Sequence, residues 1–292
     1  MHGMVYIPGG RVDIGAPEPH LDDIANQQHY GRTWFEDEAP QHTCAVSAYY
    51  IDRTPVTNAQ YAAFVDATGY VTSAERRGFG LVYGPTFWLE QPGTCWRTPA
   101  LGVDAVAERP NHPVVNVDHH DATVYASWAR KRLPTELEWE YAAHGPRWSP
   151  WPWGEQWDPS RANTAEFWAG SLRDLDGWRR WWTRRYAVDG PAPSTTVVGQ
   201  FSPAGDSLFG VADMCGNIGE WTASTYDPYD QHRSYDPAFA AAMRYRYRVV
   251  RGGSWKHFRF QTRTTERIAC LPDYSCFDIG FRCVADPDHD ER

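Results

Sequence analysis

Apolar and polar positions along this chain fall into two short rhythms, with capping residues marking where one begins. Tyr61, Phe64 and Val65 repeat at the i, i+3, i+4 spacing of one helical face. Thr57 with Gln60 forms a capping box ahead of them, and Gly69 supplies the stop. Asp118 with Asp121 opens a second predicted helix, whose apolar stripe is Val124, Tyr125 and Trp128. Thr135 with Glu138 opens a third, with Trp139 and Ala142 facing inward and Gly145 ending it. Elsewhere, short β-branched runs at 195–198 and 248–250 sit among Pro, Gly, Asp and Trp. They predict short strands joined by long loops. Long loops are costly to order, so this chain needs many tertiary anchors. Fifteen tryptophans supply large buried surfaces for that purpose.

Composition narrows the picture. The 292 residues contain no Pro/Ser-rich linker, which predicts one domain over 1–292. A net charge of −9 argues against general nucleic-acid binding, which needs clustered positive charge. Lys131 and Lys256 are the only lysines. No apolar run approaches the roughly 20 residues of a membrane span, and the first residues lack the basic and apolar regions of a secretory signal. Six cysteines are too dilute for a disulfide scaffold, so the expectation is a cytoplasmic protein with reduced thiols. Cys270 and Cys276 are near enough in sequence to pair if oxidised.

Ordered blocks carry a resemblance along nearly the whole chain. They include 4–10 with Ile14-Gly15, Tyr49 to Asp52 before 55–61, Asn111 to Val117, 131–136 with Trp139-Glu140, and Pro152-Trp153-Gly154. Gly216-Asn217 with Glu220-Trp221, Arg251-Gly252-Gly253-Ser254-Trp255 and Gly280-Phe281-Arg282-Cys283 complete the set. In this order the chain resembles the formylglycine-generating (sulfatase-modifying) enzyme family. The resemblance implies an α+β, C-type-lectin-like fold with few regular elements and long ordered loops. The residues 167–186 depart from the family. They read as an insertion, with Trp168, Trp178, Trp181 and Trp182 among Arg173, Arg179, Arg180, Arg184 and Arg185. Such a segment either binds an anionic or aromatic ligand or packs its rings on the core with its arginines outward.

The sulfatase-activating members place a pair of cysteines just after the Gly-Gly-Ser, to hold copper and exchange disulfide. Here 256–262 reads Lys-His-Phe-Arg-Phe-Gln-Thr, with no cysteine. The resemblance therefore implies the fold and not that activity. It also implies structural calcium, a hard cation that takes oxygen ligands from loops. One implied site comprises Asp213, Gly216, Ile218 and Glu220. A second starts at Asn163-Thr164 and takes its acid from Asp189 or Asp176. Asp189 is favoured, because 190–198 then leads into the family's following strand. His257 lies in the loop that would hold the thiolates, and imidazole suits iron, copper(II) or zinc where thiolate suits copper(I). His119 and His120 open the second helix, whose N-terminus favours neutral imidazole. Adjacent helical residues point about 100° apart, so the two rarely share one ion.

The expected function is a metal- and O2-dependent oxidative modification of a small molecule or peptide, anionic or aromatic, by a protein that is not itself a copper sulfatase activator. His257, with His119 or His120, would hold iron or copper. Ser254, Trp255, Gln261, Arg263 and Arg267 would line the pocket. The family's short-loop branches include pyoverdine-maturation proteins and the sulfoxide synthases of ergothioneine pathways, and the latter draw iron ligands from an added helical domain. No phosphate loop, nucleophile elbow or His-Glu-x-x-His helix is present. The alternative is a non-catalytic ligand-binding variable protein, for which the same fold serves as scaffold. It predicts calcium alone, with Phe258, Phe260, Tyr274 and Phe277 exposed.

Overall fold

The Gly-Gly-Ser-Trp turn leaves the end of a four-stranded sheet. Its order is Ile279–Gly280, Gly219–Thr225, Arg248–Arg251 and Ile268–Cys270. The first pair is parallel and the others antiparallel, so the glutamate at 220 lies between the 251 and 280 blocks. A second, three-stranded sheet joins the two ends of the chain: Met4–Ile7 and Val284–Ala285 both pair with Tyr49–Asp52. Two further ladders pair Gly10–Ile14 with His42–Val46 and Phe79–Gly84 with Phe87–Pro92. This computed structural model describes residues 3–28, 31–85, 87–100, 102–172, 174–187, 194–242 and 246–287. Among them no helix is long and apolar enough to cross a membrane.

All three helices expected from capping are present with their boxes formed: Asn58–Thr68, His119–Trp128 and Glu136–His144. Gly69 takes the left-handed conformation at the first helix end. Tyr61, Phe64, Tyr125, Trp139 and Ala142 are buried as the periodicity requires, whereas Trp128 is 42% exposed. Its ring only rims the core, 5.5 Å from Phe64.

Two segments differ from expectation. Residues 195–198 form no strand. The Thr196 N–H donates to Asn217 Oδ1 at 2.9 Å and the Val198 N–H to Asn111 O at 3.0 Å, so side-chain and loop acceptors replace a ladder. The insertion contains a helix, Leu175–Tyr186, capped by Asp174. Trp178 and Trp182, four residues apart, are fully buried on its inner face. Their indole N–H groups donate to Tyr83 Oη (2.8 Å) and Gly84 O (2.9 Å) of the Phe79–Gly84 strand. Arg179, Arg180 and Arg184 lie on the exposed face, so the packing alternative describes this segment. Arg173 lies outside the described residues.

Buried ion pairs anchor the loops. Arg251 meets Glu140, Arg263 meets Glu38 (2.5 and 2.6 Å), Arg267 meets Glu136 (2.9 and 3.0 Å), and Arg282 meets Glu220 (both 2.7 Å). Each links segments distant in sequence. Removing one partner of such a pair leaves a buried charge and costs about 3–5 kcal/mol.

Candidate functional site

The turn after Arg251 can be built only from glycine. Gly252 and Gly253 have φ of 88° and 65°, and a Cβ on Gly253 would lie 2.4 Å from Gln261 O. Beyond the turn Ser254 is fully buried, and its Oγ donates to Asp278 Oδ2 at 2.6 Å. Lys256 Nζ lies 3.1 Å from the same carboxylate oxygen and 2.9 Å from His257 Nε2. The Cys276 thiol donates to Asp278 Oδ1 at 2.8 Å.

Burial dominates the electrostatics of this cluster. On its own it would raise the Asp278 carboxyl, but Lys256, His257, Cys276 and Ser254 together hold it below the ordinary range. His257 falls to about 3, first through burial and then through the Lys256 charge, so its ring is neutral at pH 7. Burial followed by Asp278 pushes the Cys270 thiol up to about 12, and the Cys276 thiol also rises well above its usual value. Both cysteines are free and protonated at neutral pH.

Trp255 and Phe277 flank this cluster and form one wall of a cavity of about 650 Å3. That is room for a drug-sized molecule. Tyr83 is its hub: its ring lies 4.6 Å from Trp182, 5.3 Å from Trp255 and 5.2 Å from Phe277. Phe167, Trp168 and Tyr186 extend the aromatic wall, and Arg109, His112 and Thr195 form a polar part of the lining. The inserted helix thus contributes rings, Trp182 and Tyr186, rather than its arginines. Sequence reading missed Tyr83, Arg109 and His112; it marked Lys256 only by its place in the loop that would hold the thiolates.

The remaining expected pocket residues are elsewhere. Gln261 Oε1 caps the short 3-10 turn by accepting from Phe258 N at 3.3 Å. Arg263 and Arg267 are consumed by Glu38 and Glu136, so neither lines the Trp255 cavity. His119 lines a separate cavity of about 420 Å3, with Nε2 on Thr222 O at 3.1 Å, and His120 is exposed.

The expected redox metal does not fit these residues. A neutral imidazole has one lone pair to give. On His257 it meets Lys256 when the proton is on Nδ1, or the Ser254 N–H (3.0 Å) when the proton is on Nε2. The adjacent Lys256, and thiols that stay protonated, further disfavour a cation. Among the described residues no three His, Cys, Asp or Glu side chains gather as metal ligands, and His119 and His120 do not join His257.

Calcium fits better at its first implied site. Asp206 is paired with Arg53 (2.7 Å) and Glu220 with Arg282, while Asp213 is buried, accepts from the Gly199 N–H at 2.6 Å and makes no ion pair among the described residues. Its carboxyl rises to about 6, chiefly through burial, with Glu220 and Asp206 adding to the rise. A buried carboxylate held by one backbone donor, with a second carboxylate near it, is an environment that a divalent cation would relieve. At the second site Asn163 Oδ1 accepts from Trp168 Nε1 (2.6 Å) and its Nδ2 donates to Ser194 O (2.9 Å), while Thr164 Oγ1 is buried without a partner. Asp176 is exposed and paired with Arg179 at 3.2 Å, so it does not complete this set. Asp189 lies outside the described residues.

The Sulfatase-modifying factor enzyme 1-like domain matches residues 1–287, and the chain belongs to this formylglycine-generating enzyme family. It is 36% identical to the formylglycine-generating enzyme of Thermomonospora curvata, over 98% of this chain and 94% of that one. It is also 32% identical to the inactive C-alpha-formylglycine-generating enzyme 2 of Bos taurus, covering 97% of this chain and 87% of that one. Overall identity therefore does not separate active from inactive relatives. Among solved structures, PvdO from Pseudomonas aeruginosa shares the fold with a TM-score of 0.64 at 23% identity, over 97% of this chain and 94% of that one.

Proposed function

We propose that this protein is an oxidative tailoring enzyme acting on a small aromatic molecule held against Trp255. The observation that carries the reading is the adjacency of two features. The turn at which the family does its chemistry runs directly into an aromatic-walled cavity, and the thiolate pair of the sulfatase-activating members is missing beside it. The reaction is a two-electron oxidation in which the substrate loses two hydrogens and dioxygen accepts them as hydrogen peroxide. Tyr83, Trp182, Trp255 and Phe277 stack on the substrate and exclude water. Lys256, His257, Asp278 and Ser254 fix the Trp255 wall from behind and act as positioning residues. No step is assigned to a redox metal.

Calcium at Asp213, Gly216, Ile218 and Glu220 is part of this proposal as a structural ion. The binding-scaffold alternative is disfavoured by burial: Phe258 and Phe277 are 6% and 7% exposed, and Phe260 and Tyr274 are half-buried. An oxygen electrode with electron-rich aromatic compounds tests the reading. Uptake of oxygen with peroxide release supports it, and conversion of a cysteine peptide in place of every aromatic compound refutes it.

A further inference from the structure

Among the described residues, the lining of the cavity beside Trp255 has no carboxylate, and Arg109 is its only arginine or lysine. That is unusual in a chain with 37 acidic and 28 basic residues. The backbone of Arg109 is tightly held. Its N–H donates to Ala105 O at 3.1 Å, and its carbonyl accepts from Asn58 Nδ2 at 2.8 Å and from the His112 N–H at 3.1 Å. Its guanidinium, by contrast, makes no ion pair or hydrogen bond among the described residues, and the residue as a whole is partly exposed. Arg251, Arg263, Arg267 and Arg282 each have a glutamate. A guanidinium that lines an aromatic-walled cavity with no protein counter-charge among the described residues is open to pairing with a bound anion.

Its neighbour does not compete for that anion. His112 is held by Thr195 Oγ1 at 3.0 Å from Nδ1. Burial first, and then the Arg109 charge, lower its ring below the ordinary histidine range, so it adds no second full charge. Of the insertion's described arginines, Arg179, Arg180 and Arg184 face outward, and none lines the cavity. A guanidinium presents paired N–H donors in a plane that matches a carboxylate.

We propose that Arg109 anchors a carboxylate of the ligand, so that the molecule this cavity takes is an aromatic acid. This rests on the aromatic-cavity reading above and specifies its substrate class. The rings hold the ligand's planar body, and the arginine fixes which end points away from them.

The test uses the full chain and isothermal calorimetry with 2-naphthoate, its neutral isostere 2-naphthamide, and 2-naphthyl phosphate, all at physiological ionic strength. 2-Naphthoate should bind about tenfold or more tightly than the amide, the size expected for charge-assisted hydrogen bonds. In Arg109→Gln the preference should shrink to about twofold or less with most amide affinity retained, because the charge and its paired donors are lost while a neutral amide remains. Arg109→Lys should restore part of it. The Arg109→Gln chain should melt close to the wild type, since the Arg109 guanidinium makes no ion pair or hydrogen bond among the described residues. Equal binding of acid and amide by wild type, or a preference that survives Arg109→Gln, overturns the anchor. Tighter binding of 2-naphthyl phosphate than 2-naphthoate overturns the carboxylate assignment. The double variant Phe167→Ala/Tyr186→Ala separates the two ideas. If acid and amide bind equally and both weaken in it, only the anchor fails. If neither weakens, or nothing binds, the aromatic-cavity reading fails with it.

Discussion

Ser254 Oγ donates to Asp278 Oδ2 at 2.6 Å, joining the Gly-Gly-Ser-Trp turn to the residue that precedes the Ile279–Gly280 strand. This bond and the Lys256 contact to the same oxygen set the position of Trp255 and Phe277, the two rings shared with the cavity. Asp278 is buried, so its charge depends on these donors.

Lys256→Met should therefore be costly, by about 3–5 kcal/mol, because it leaves Asp278 charged and buried without its cation. The double variant Lys256→Met/Asp278→Asn should recover most of that loss. Urea unfolding midpoints of the three chains measure it. A single variant as stable as the double one would show that the pair carries no such coupling.

Asp213 gives a calcium and pH signature. Without the ion its carboxyl titrates near 6, above the ordinary 3.8. A folded-state value above the unfolded one adds stability fully at low pH and loses it as pH rises through 6. In EGTA, the melting temperature should fall between pH 5 and pH 7 by more in wild type than in Asp213→Asn. Adding calcium at pH 7 should restore it, since an ion that binds only the folded state stabilises by RT ln(1 + [L]/Kd). Elemental analysis without calcium, together with a melting curve indifferent to calcium and EGTA, would remove the ion from this account.

A Cys-x-Pro-x-Arg peptide incubated with the protein, copper and oxygen should stay unmodified. Lys256 and His257 occupy the loop that would hold thiolates, and Cys270 and Cys276 keep their protons. An aldehyde on that peptide, read by mass spectrometry, would place a working thiol where none is expected.

Iron and copper contents of wild type and His257→Ala, expressed in metal-replete medium, should be the same low background. In either tautomer the one lone pair of the wild-type ring faces a donor, Lys256 at Nε2 or the Ser254 N–H at Nδ1. Stoichiometric metal that vanishes with the imidazole would restore the redox-metal site.

Much of the frame could be read from sequence because its signals are local. Thr57, Asp118 and Thr135 announce their helices through a partner three residues away, and Gly252-Gly253 mark a turn that no larger residue can make. Chemistry was less legible because it depends on partners far along the chain. Arg263 and Arg267 suggest pocket residues until Glu38 and Glu136 are seen to hold them, more than 100 positions away. His257 suggests a ligand until Lys256 and Ser254 fill its ring nitrogens. The inserted segment suggests anion binding through its arginines, yet its helix turns Trp178 and Trp182 inward and Arg179, Arg180 and Arg184 outward.

The most direct test of the central claim is oxygen uptake with peroxide quantified alongside. The substrates are o-aminophenols, catechols and hydroxyindoles bearing a carboxylate. The account predicts that at least one is oxidised with one peroxide formed per oxygen consumed, and that Phe167→Ala/Tyr186→Ala slows the reaction about tenfold or more, the loss expected from about 1.4 kcal/mol of lost transition-state contact. Uptake unchanged in that variant, or no uptake with any of these compounds, would contradict it.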